Sequence, residues 1–256
     1  MPSLSWTTAR RYYQRNAARW VFKRPRLVRP DRPLISFTFD DFPRTALIAG
    51  GAILNRVGVS ATYYVSLGLL GKDSPSGPIC VRDDLSAVLE QGHELGCHTF
   101  SHCHSWETDQ VSFEASIIQN SVALKKLIPG ADFKSLSYPI SEPRPMTKWK
   151  AGSRFLCCRA GGQTFNSGTA DLNQLAAFFL ERSRDGIRSI KELIDANSEE
   201  RGWTILATHD ICPNPSPYGC TPEFFNEVVE YAVKSGARIL PVARAVEVLA
   251  GGDSGK

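Results

Sequence analysis

The chain of 256 residues lacks several features that would assign it to a broad class of proteins. Its longest stretch without a charged residue, Val57–Gly71, is too short for a membrane-spanning helix, which needs about 20 apolar residues. The N-terminus lacks the apolar core of a secretory signal, because charged side chains recur from Arg10 onward. The seven cysteines, an odd number, are more typical of reduced thiols than of a disulfide framework. We therefore expect a cytoplasmic protein.

Acidic side chains are absent from residues 1–30, which carry eight lysines and arginines. The net charge of the whole chain is only +4, so the remaining residues are mildly acidic in total. This distribution disfavours a nucleic-acid-binding protein, because the positive charge belongs to one segment and not to a surface of the folded body. A hydrophobic fraction of 42% is sufficient for a buried core and excludes a disordered chain.

Residues 4–22 are predicted to form a basic amphipathic helix, in which Trp6, Tyr13 and Trp20 recur at heptad spacing. Two interpretations stay open. We slightly favour a helix that packs its aromatic side chains on the rest of the protein. The alternative is peripheral contact of this helix with the inner face of a membrane. The following segment, Pro25–Pro33, is predicted to be an extended linker.

From Leu34 onward, short apolar segments alternate with helical segments, which is typical of a parallel α/β architecture. The predicted division is a helix and linker over residues 1–33, an α/β unit over residues 34–250 and a tail over residues 251–256. Seven or eight β–α units can close into a barrel, whose functional residues lie at the C-terminal ends of the strands.

Three polar clusters follow predicted strands. Asp40 and Asp41 are adjacent carboxylates, which repel each other unless a cation or a proton intervenes, although a helix N-cap would also explain them. Four of the five histidines lie within twelve residues, and His98 and His102 are spaced so that one helical turn would direct both rings at one metal. His209 ends a later apolar segment, a position that favours function over structure.

One carboxylate and two histidines make a three-ligand site with open positions, which suits catalytic Zn²⁺ with a water or non-haem Fe(II). The second carboxylate and the third histidine can then serve as base and acid, so metal-assisted hydrolysis is the simplest interpretation. An Fe(II) oxygenase is disfavoured, because its ligands normally come as a close His-x-carboxylate pair followed by a distant histidine, the reverse of this order.

These residues resemble the motifs of the polysaccharide deacetylases of carbohydrate esterase family 4, the NodB-homology domain. The match extends in order and spacing over most of residues 34–250. TFDD at residues 38–41 resembles the first motif, HTFSH at residues 98–102 the second, and ATH at residues 207–209 the fifth. The resemblance implies a distorted (β/α) barrel of about seven parallel strands, here preceded by the basic amphipathic helix.

The resemblance also implies a role for each residue. Asp40 would be the general base and His209 the general acid. Asp41, His98 and His102 would hold a divalent cation, foremost Zn²⁺, with Co²⁺, Ni²⁺ or Fe²⁺ as alternatives. The implied reaction is hydrolysis of the N-acetyl or other N-acyl group of an amino sugar. The expected substrate is nucleotide-linked, lipid-linked or part of an oligosaccharide, and is used to make a cell-surface polysaccharide such as the O-antigen of lipopolysaccharide.

The sequence departs from the family at its third motif, here SYPIS at residues 137–141, which lacks an arginine. Arg159 and Arg144 are candidates to replace that arginine beside the base, and Asp171 is a candidate for the aspartate of the fourth motif. An alternative motivated by these departures is a carbohydrate-binding relative without catalysis. The candidates for contact with the oxyanion or the substrate are Ile140 through its backbone N–H, Tyr138, Arg159 and Tyr218.

Overall fold

A computed structural model describes residues 6–140 and 142–251. The helices of this part of the chain are α1 (Trp6–Asn16), α2 (Ala52–Arg56, entered through a π-helical turn at Ala46–Gly51), α3 (Arg82–Glu90), α4 (Gln110–Leu127), α5 (Pro145–Gly152), α6 (Arg188–Glu200), α7 (Pro222–Lys234) and α8 (Val242–Leu249). Single 3₁₀ turns lie at Leu67–Leu69 and Leu180–Ser183.

The strands alternate with these helices along most of the chain. They are β1 (Pro25–Val28), β2 (Leu34–Phe39), β3 (Thr62–Val65), β4 (Asp73–Ser74), β5 (Gly77–Pro78), β6 (Glu94–Cys97), β7 (Ser135–Ser137), β8 (Cys157–Arg159), β9 (Gly168–Asp171), β10 (Phe178–Phe179), β11 (Trp203–Thr208) and β12 (Arg238–Ile239).

Parallel strands form one curled sheet in the order β10-β11-β2-β3-β6-β7-β8, and β12 pairs with the first two residues of β2. Both β2 and β11 are buried along their whole length, which explains their nearly continuous apolar sequences. The outer strands β8 and β10 are bridged by the segment at residues 172–177, where the Leu175 N–H donates to the Cys158 carbonyl at 2.9 Å. The predicted distorted (β/α) barrel is therefore confirmed, as a half-barrel with an irregular closing segment.

Aromatic side chains form the part of the core beneath the C-terminal end of β2. Phe39 stacks on Tyr63 with ring centroids 4.8 Å apart, and Phe42 lies at the same distance from Tyr63. Phe225 of α7 contacts Phe39 from the outer helical layer at 5.6 Å. Each such pair contributes about 0.5–1.5 kcal/mol beyond its buried area. This packing fixes the C-terminal end of β2 and thereby the starting position of Asp40 and Asp41, which follow it.

The N-terminal segment differs from its prediction in two ways. Helix α1 ends at Asn16 and not at residue 22, while residues 4 and 5 lie outside the described part of the chain. The predicted linker contains β1, which pairs antiparallel with β9 over four residues. Lys148, fully buried, donates from Nζ to the carbonyls of Ala18 at 2.6 Å and Val21 at 2.9 Å. Residues 18–28 are thus held by partners more than 100 residues away in the chain, although the sequence from Pro25 onward predicts only an extended linker.

The aromatic side chains of this segment do not pack on the core as the favoured interpretation expected. Trp6 is 83% exposed and Trp20 78% exposed, and Tyr13, although 61% exposed, meets the edge of the Trp106 ring at 5.8 Å between centroids. The division of the chain at residue 33 stays a prediction. Among the described residues, no helix has both the length and the apolarity needed to cross a membrane.

Candidate functional site

Three parallel strands of the half-barrel end at the same edge of the sheet and carry polar residues directly after them; β11 and β2 are neighbours, and β3 lies between β2 and β6. Asp40 follows β2, His98 follows β6 and His209 follows β11. The Asp40 N–H donates to the Thr208 carbonyl at 2.9 Å, and the His98 N–H donates to the Val65 carbonyl at 3.1 Å. The sheet hydrogen bonds therefore continue to the site residues themselves.

A sharp turn after β2 separates the two neighbouring carboxylates. Asp41 has φ +61° and Phe42 has φ +57°, both in the left-handed region that non-glycine residues seldom adopt. Such strain costs on the order of 1–3 kcal/mol per residue and needs support from its surroundings, which buried Phe42 receives from Tyr63. The turn directs Asp40 towards Arg159 and Asp41 towards the two histidines.

Asp41, His98 and His102 form a compact ligand trio, since one potential ligand atom from each lies within 4.8 Å of the others. The Oδ1 atom of Asp41 is 3.6 Å from Nε2 of His98 and 3.1 Å from Nε2 of His102. The Nδ1 atom of His98 lies 2.8 Å from the Ser137 carbonyl, which can only accept, so Nδ1 carries the proton and Nε2 presents a lone pair.

His102 reaches the trio from a loop and not from a helical turn. Thr99 and His102 have φ of +58° and +53°, so the predicted helical turn is wrong. The loop is held by a hydrogen bond from the Cys103 N–H to the Thr99 hydroxyl at 2.9 Å. It nevertheless brings the rings of His98 and His102 to a centroid separation of 5.0 Å. The i, i+4 spacing thus predicted that the rings of His98 and His102 lie together. It did so on the assumption of a helical turn, which the loop does not form.

The electrostatics of Asp41 and His98 favour the protonation states that bind a cation, whereas Asp41 raises the pKa of His102 despite the burial of that ring. Burial lowers the pKa of His98 to about 4, so its ring is neutral near pH 7. Burial alone would raise the pKa of Asp41, but the adjacent His102 and His98 lower that pKa well below its usual range. The trio thus offers an ionised carboxylate and a neutral imidazole at neutral pH.

The donor set fits a divalent cation. Although Asp41 Oδ1 is buried beside two imidazole nitrogens, it accepts no hydrogen bond of ordinary geometry among the described residues. Such convergence without hydrogen bonding is typical of atoms that share a metal ion. One oxygen and two nitrogen ligands suit Zn²⁺ in an open site. Co²⁺, Ni²⁺ and Fe²⁺ accept the same ligand types.

Asp40 is buried and forms an ion pair with Arg159, whose Nη2 donates to the Asp40 carboxylate. Burial by itself would raise the pKa of Asp40, but Arg159, His98 and His209 lower it below the ordinary value. The carboxylate is therefore held ionised next to the trio. Of the two arginines proposed from the sequence, Arg159 has the contact. Arg144 instead donates to the Trp106 carbonyl.

Aromatic rings and a glycine position Arg159. Its guanidinium lies 5.0 Å from the ring centroid of Tyr64 and 5.5 Å from that of Phe179. Tyr64 in turn requires Gly96, because a Cβ at residue 96 would lie 2.4 Å from the Tyr64 ring. The guanidinium is only 1% exposed, so its charge acts on Asp40 with little screening by water.

His209 is partly exposed at the mouth of the site. Its Nδ1 lies 3.3 Å from the Tyr218 carbonyl, which accepts the Nδ1 proton and leaves Nε2 free. Tyr218 is 47% exposed and its ring centroid is 5.4 Å from that of His209, so it borders the mouth as the sequence suggested. Buried Asp210 holds this loop through the Ser216 N–H at 2.8 Å.

The remaining sequence candidates have different outcomes. Ile140 has φ +69° and an exposed side chain, and its N–H has no hydrogen-bond acceptor among the described residues. It is therefore available to a ligand. Tyr138 is buried and donates its hydroxyl to the Asn173 carbonyl at 3.1 Å, so its hydroxyl is not free to contact substrate. Asp171 pairs with Lys148 at 2.6 Å and supports the N-terminal segment instead of the site.

Glu181 is an acidic residue near His209 and Asp40 that the sequence patterns did not reveal. It lies in the 3₁₀ turn directly after β10, where burial raises the pKa of its carboxyl despite the nearby His209. Its Oε2 is buried without a hydrogen-bond partner among the described residues. The only available signal was its place after a strand of two residues, which is too short for periodicity to reveal.

Known proteins resemble this chain in sequence and in fold. The family model described as polysaccharide deacetylase matches residues 28–154. The fold is similar to that of a family 4 acetyl xylan esterase from Clostridium thermocellum, solved with a cobalt ion (21% identity, TM-score 0.60, 85% of this chain and 92% of that chain). It is also similar to that of a chitin deacetylase from Colletotrichum lindemuthianum (16% identity, TM-score 0.59, 86% and 90%).

A third similar structure is the Xyl-CE4 domain of a multidomain xylanase from the hindgut metagenome of Trinervitermes trinervoides (18% identity, TM-score 0.60, 85% and 91%). No curated protein sequence matches the chain significantly. The structural likenesses establish the fold, and the family model covers β2 to α5, which carry Asp40, the ligand trio and the Ile140 turn. The matched part of the chain, residues 28–154, belongs to the polysaccharide deacetylase family.

Proposed function

We propose that this protein is a metal-dependent hydrolase that removes the N-acetyl, or another N-acyl, group from an amino sugar. The observation that carries the proposal is the arrangement around β2. One aspartate, Asp40, is buried and held ionised by Arg159, while its neighbour Asp41 joins two histidines in a ligand trio. A base beside a three-ligand cation site supplies the chemistry for hydrolysis of an unactivated amide.

Asp41, His98 and His102 would hold the cation. When bound there, the cation supplies Lewis-acid polarisation of the acyl carbonyl and of the attacking water. Asp40 is the group that removes a proton from that water, and the ion pair with Arg159 keeps its carboxylate ionised and oriented. The unpaired N–H of Ile140 donates to the oxygen on which negative charge develops. His209, whose Nδ1 proton is bound by the Tyr218 carbonyl, donates a proton from Nε2 to the departing amine.

The proposed substrate is an amino-sugar precursor of a cell-surface polysaccharide, such as a nucleotide-linked or lipid-linked sugar used for O-antigen. The partly exposed Tyr218 beside His209 supports a sugar at this mouth, because sugar rings stack on aromatic faces. Proteins of similar fold include a chitin deacetylase, an acetyl xylan esterase and a peptidoglycan N-acetylglucosamine deacetylase, all named for acetylated polymers. Activity confined to such polymers would contradict the precursor part of the proposal.

Acetate release tests the proposal directly. The purified protein, loaded with Zn²⁺ or Co²⁺, is incubated with N-acetylglucosamine linked to UDP, linked to a lipid phosphate, or joined in short oligomers. We expect Asp40→Asn to lower kcat about 10²-fold or more, because a positioned base contributes about that much. Asp83→Asn, an exposed aspartate of α3, is the matched control and should retain full activity. Acetylated xylan is tested beside these substrates, and acetate release from xylan alone would show an esterase and overturn the amide assignment.

The alternative of a binding protein without catalysis rested on the departures at the third and fourth motifs. Arg159 pairs with Asp40 and so replaces the arginine that the third motif lacks. The missing arginine was the main reason for the alternative, and this pair removes it. Binding of acylated oligosaccharide without acetate release, with every tested metal, would restore it.

A further inference from the structure

A groove of about 700 Å³ lies between α1 and the N-terminal end of α5, outside the ligand trio. Aromatic and aliphatic side chains form most of its lining, including Trp6, Tyr13, Trp106 and Met146. Arg10 and Arg144 also line the groove, and no aspartate or glutamate is among its described lining residues. The volume is in the range of small-molecule sites, roughly 300–1,000 Å³.

The groove exists because the aromatic face of α1 is held over the body without closing on it. Tyr13 touches Trp106 but is 61% exposed, and Trp6 is 83% exposed. Burial of these exposed rings would stabilise the protein by about 25 cal/mol per Å² of apolar surface removed from water. A ligand that covers these rings would provide that stabilisation.

Both walls of the groove are anchored. On the α1 side, buried Lys148 holds the carbonyls of Ala18 and Val21, immediately beyond the helix. On the other side, the Trp106 indole donates to the Glu142 carbonyl at 2.9 Å, and the Arg144 N–H donates to the Ser105 hydroxyl at 2.9 Å. The groove is thus a formed feature of the fold, as ligand sites usually are.

The wall opposite α1 also connects the groove to the proposed active site. Trp106 is four residues beyond the ligand His102, and Arg144 is four residues beyond Ile140. The two loops that supply these active-site groups therefore continue into the groove. A ligand held there is adjacent to chain segments that contact the reacting group.

We propose that this groove binds the alkyl-phosphate end of a lipid-linked amino sugar, whose acylated sugar extends to the ligand trio. This inference rests on the proposed function and narrows its substrate to one class. Arginine recognises phosphate through paired N–H donors, and the rings with Met146 provide apolar surface for a hydrocarbon chain. The same N-terminal segment exposes Trp20 and Leu27 and carries no acidic residue in residues 1–30, which suits an anionic amphiphile better than a single nucleotide base.

Calorimetry of the full chain with dodecyl phosphate, below its micelle concentration, tests this inference. Dodecanol, inorganic phosphate and UDP serve as comparison ligands. We expect dodecyl phosphate to bind more tightly than all three, because it combines the chain with the anion. Arg10→Gln and Tyr13→Ser should each weaken its binding about tenfold.

Two matched controls accompany the groove variants. Arg19→Gln and Tyr12→Ser remove the same side-chain types from exposed positions of the same segment that do not line the groove, and each should change affinity less than about twofold. Equal losses in groove and control variants would indicate non-specific adsorption and overturn the inference. Tighter binding of UDP than of dodecyl phosphate would also overturn it, in favour of a nucleotide.

The groove and the proposed function can fail separately. Asp41→Asn should abolish acetate release yet bind dodecyl phosphate like the wild type, because Asp41 is not a groove residue. Binding that depends on Arg10 in a protein without deacylase activity would support the groove and reject the function. Deacylation of a lipid-free sugar without any binding of dodecyl phosphate would reject the groove alone.

Discussion

Asp40 and Asp41 are neighbours in the chain, yet their carboxylates meet different partners. Left-handed backbone at Asp41 turns its side chain towards His98 and His102, while Asp40 stays against Arg159. A buried carboxylate and a largely buried one side by side would repel, and separate cationic or metal partners relieve that repulsion. At the scale of single residues, the site therefore consists of two carboxylates with distinct surroundings and distinct proposed roles.

The Arg159–Asp40 pair makes a prediction for the pH profile. Loss of the guanidinium removes the largest influence that lowers the pKa of Asp40 against the effect of burial, so the pKa rises and the base becomes protonated at higher pH. We expect Arg159→Gln to lower kcat/KM about 10²-fold at neutral pH and to move the acid limb of the profile upward. Arg159→Lys, which retains a charge, should recover part of the loss. An unchanged acid limb in Arg159→Gln would contradict this role.

His93 makes a prediction for stability. The ring is buried, its Nδ1 accepts a hydrogen bond from the Ala61 N–H at 3.1 Å, and burial lowers its pKa to about 4. The unfolded chain, with a histidine pKa near 6.5, takes up the proton first as the pH falls. The stability that the neutral ring provides is thus complete above about pH 6.5 and is lost as the pH decreases towards 4.

We expect His93→Gln to remove this pH dependence while keeping an acceptor for the Ala61 N–H. Urea unfolding measured at several pH values between 7 and 4 checks it, with a wild-type slope of at most about 1.4 kcal/mol per pH unit from this group. Parallel curves for wild type and variant would show that His93 is not responsible.

At the scale of elements, the N-terminal segment is attached by β1 and by one buried lysine. Lys148 of α5 contacts the carbonyls of Ala18 and Val21 and pairs with Asp171 at the end of β9. Since β1 pairs with β9, the lysine joins three elements that are distant in sequence. The attachment places α1 where its aromatic face overlooks the groove.

Removing this lysine charge should loosen the segment. Lys148→Met leaves two carbonyls and the Asp171 carboxylate without their cation, and loss of one partner of a buried ion pair costs about 3–5 kcal/mol. We expect faster proteolysis at residues 17–24 and a lower free energy of unfolding. Lys150→Met, a more exposed lysine of the same helix, is the matched control and should leave both nearly unchanged. Equal protection from proteolysis in the two variants would contradict the attachment.

At the scale of the whole molecule, the trio joins the turn after β2 to the loop after β6, two places that only the folded sheet brings together. A cation bound by all three residues therefore has no equivalent site in the unfolded chain. Binding to the native state alone stabilises a protein by mass action.

Metal addition should consequently raise the melting temperature. At 100 times its Kd, Zn²⁺ should add about 2.7 kcal/mol, which corresponds to roughly 5–10 °C for a chain of this length. Asp41→Asn should lose this increase, and chelation should reverse it in the wild type. His104→Gln, a histidine of the same loop outside the trio, should keep it. An equal increase in Asp41→Asn would place the cation elsewhere.

Sequence patterns alone predicted the parallel α/β architecture and the strands before Asp40 and His209, and the resemblance of the motifs to a known family implied the trio Asp41, His98 and His102. The strands are predictable because each is a local apolar segment. The candidate site residues are predictable because they are polar side chains that directly follow such segments. The conformation of the 98–102 loop was predicted wrongly, because left-handed residues such as Thr99 leave no periodic signal.

The tertiary structure decided the partners that come from far along the chain. Arg159 is 119 residues from Asp40, and only the order of the strands brings β8 across the sheet to it. Tyr138 is buried in the core, where its hydroxyl donates to the Asn173 carbonyl, and β1 pairs with β9. Both contacts also depend on residues far along the chain. The free energy of burying each face is shared over the whole sheet, so no local stretch of sequence carries that information.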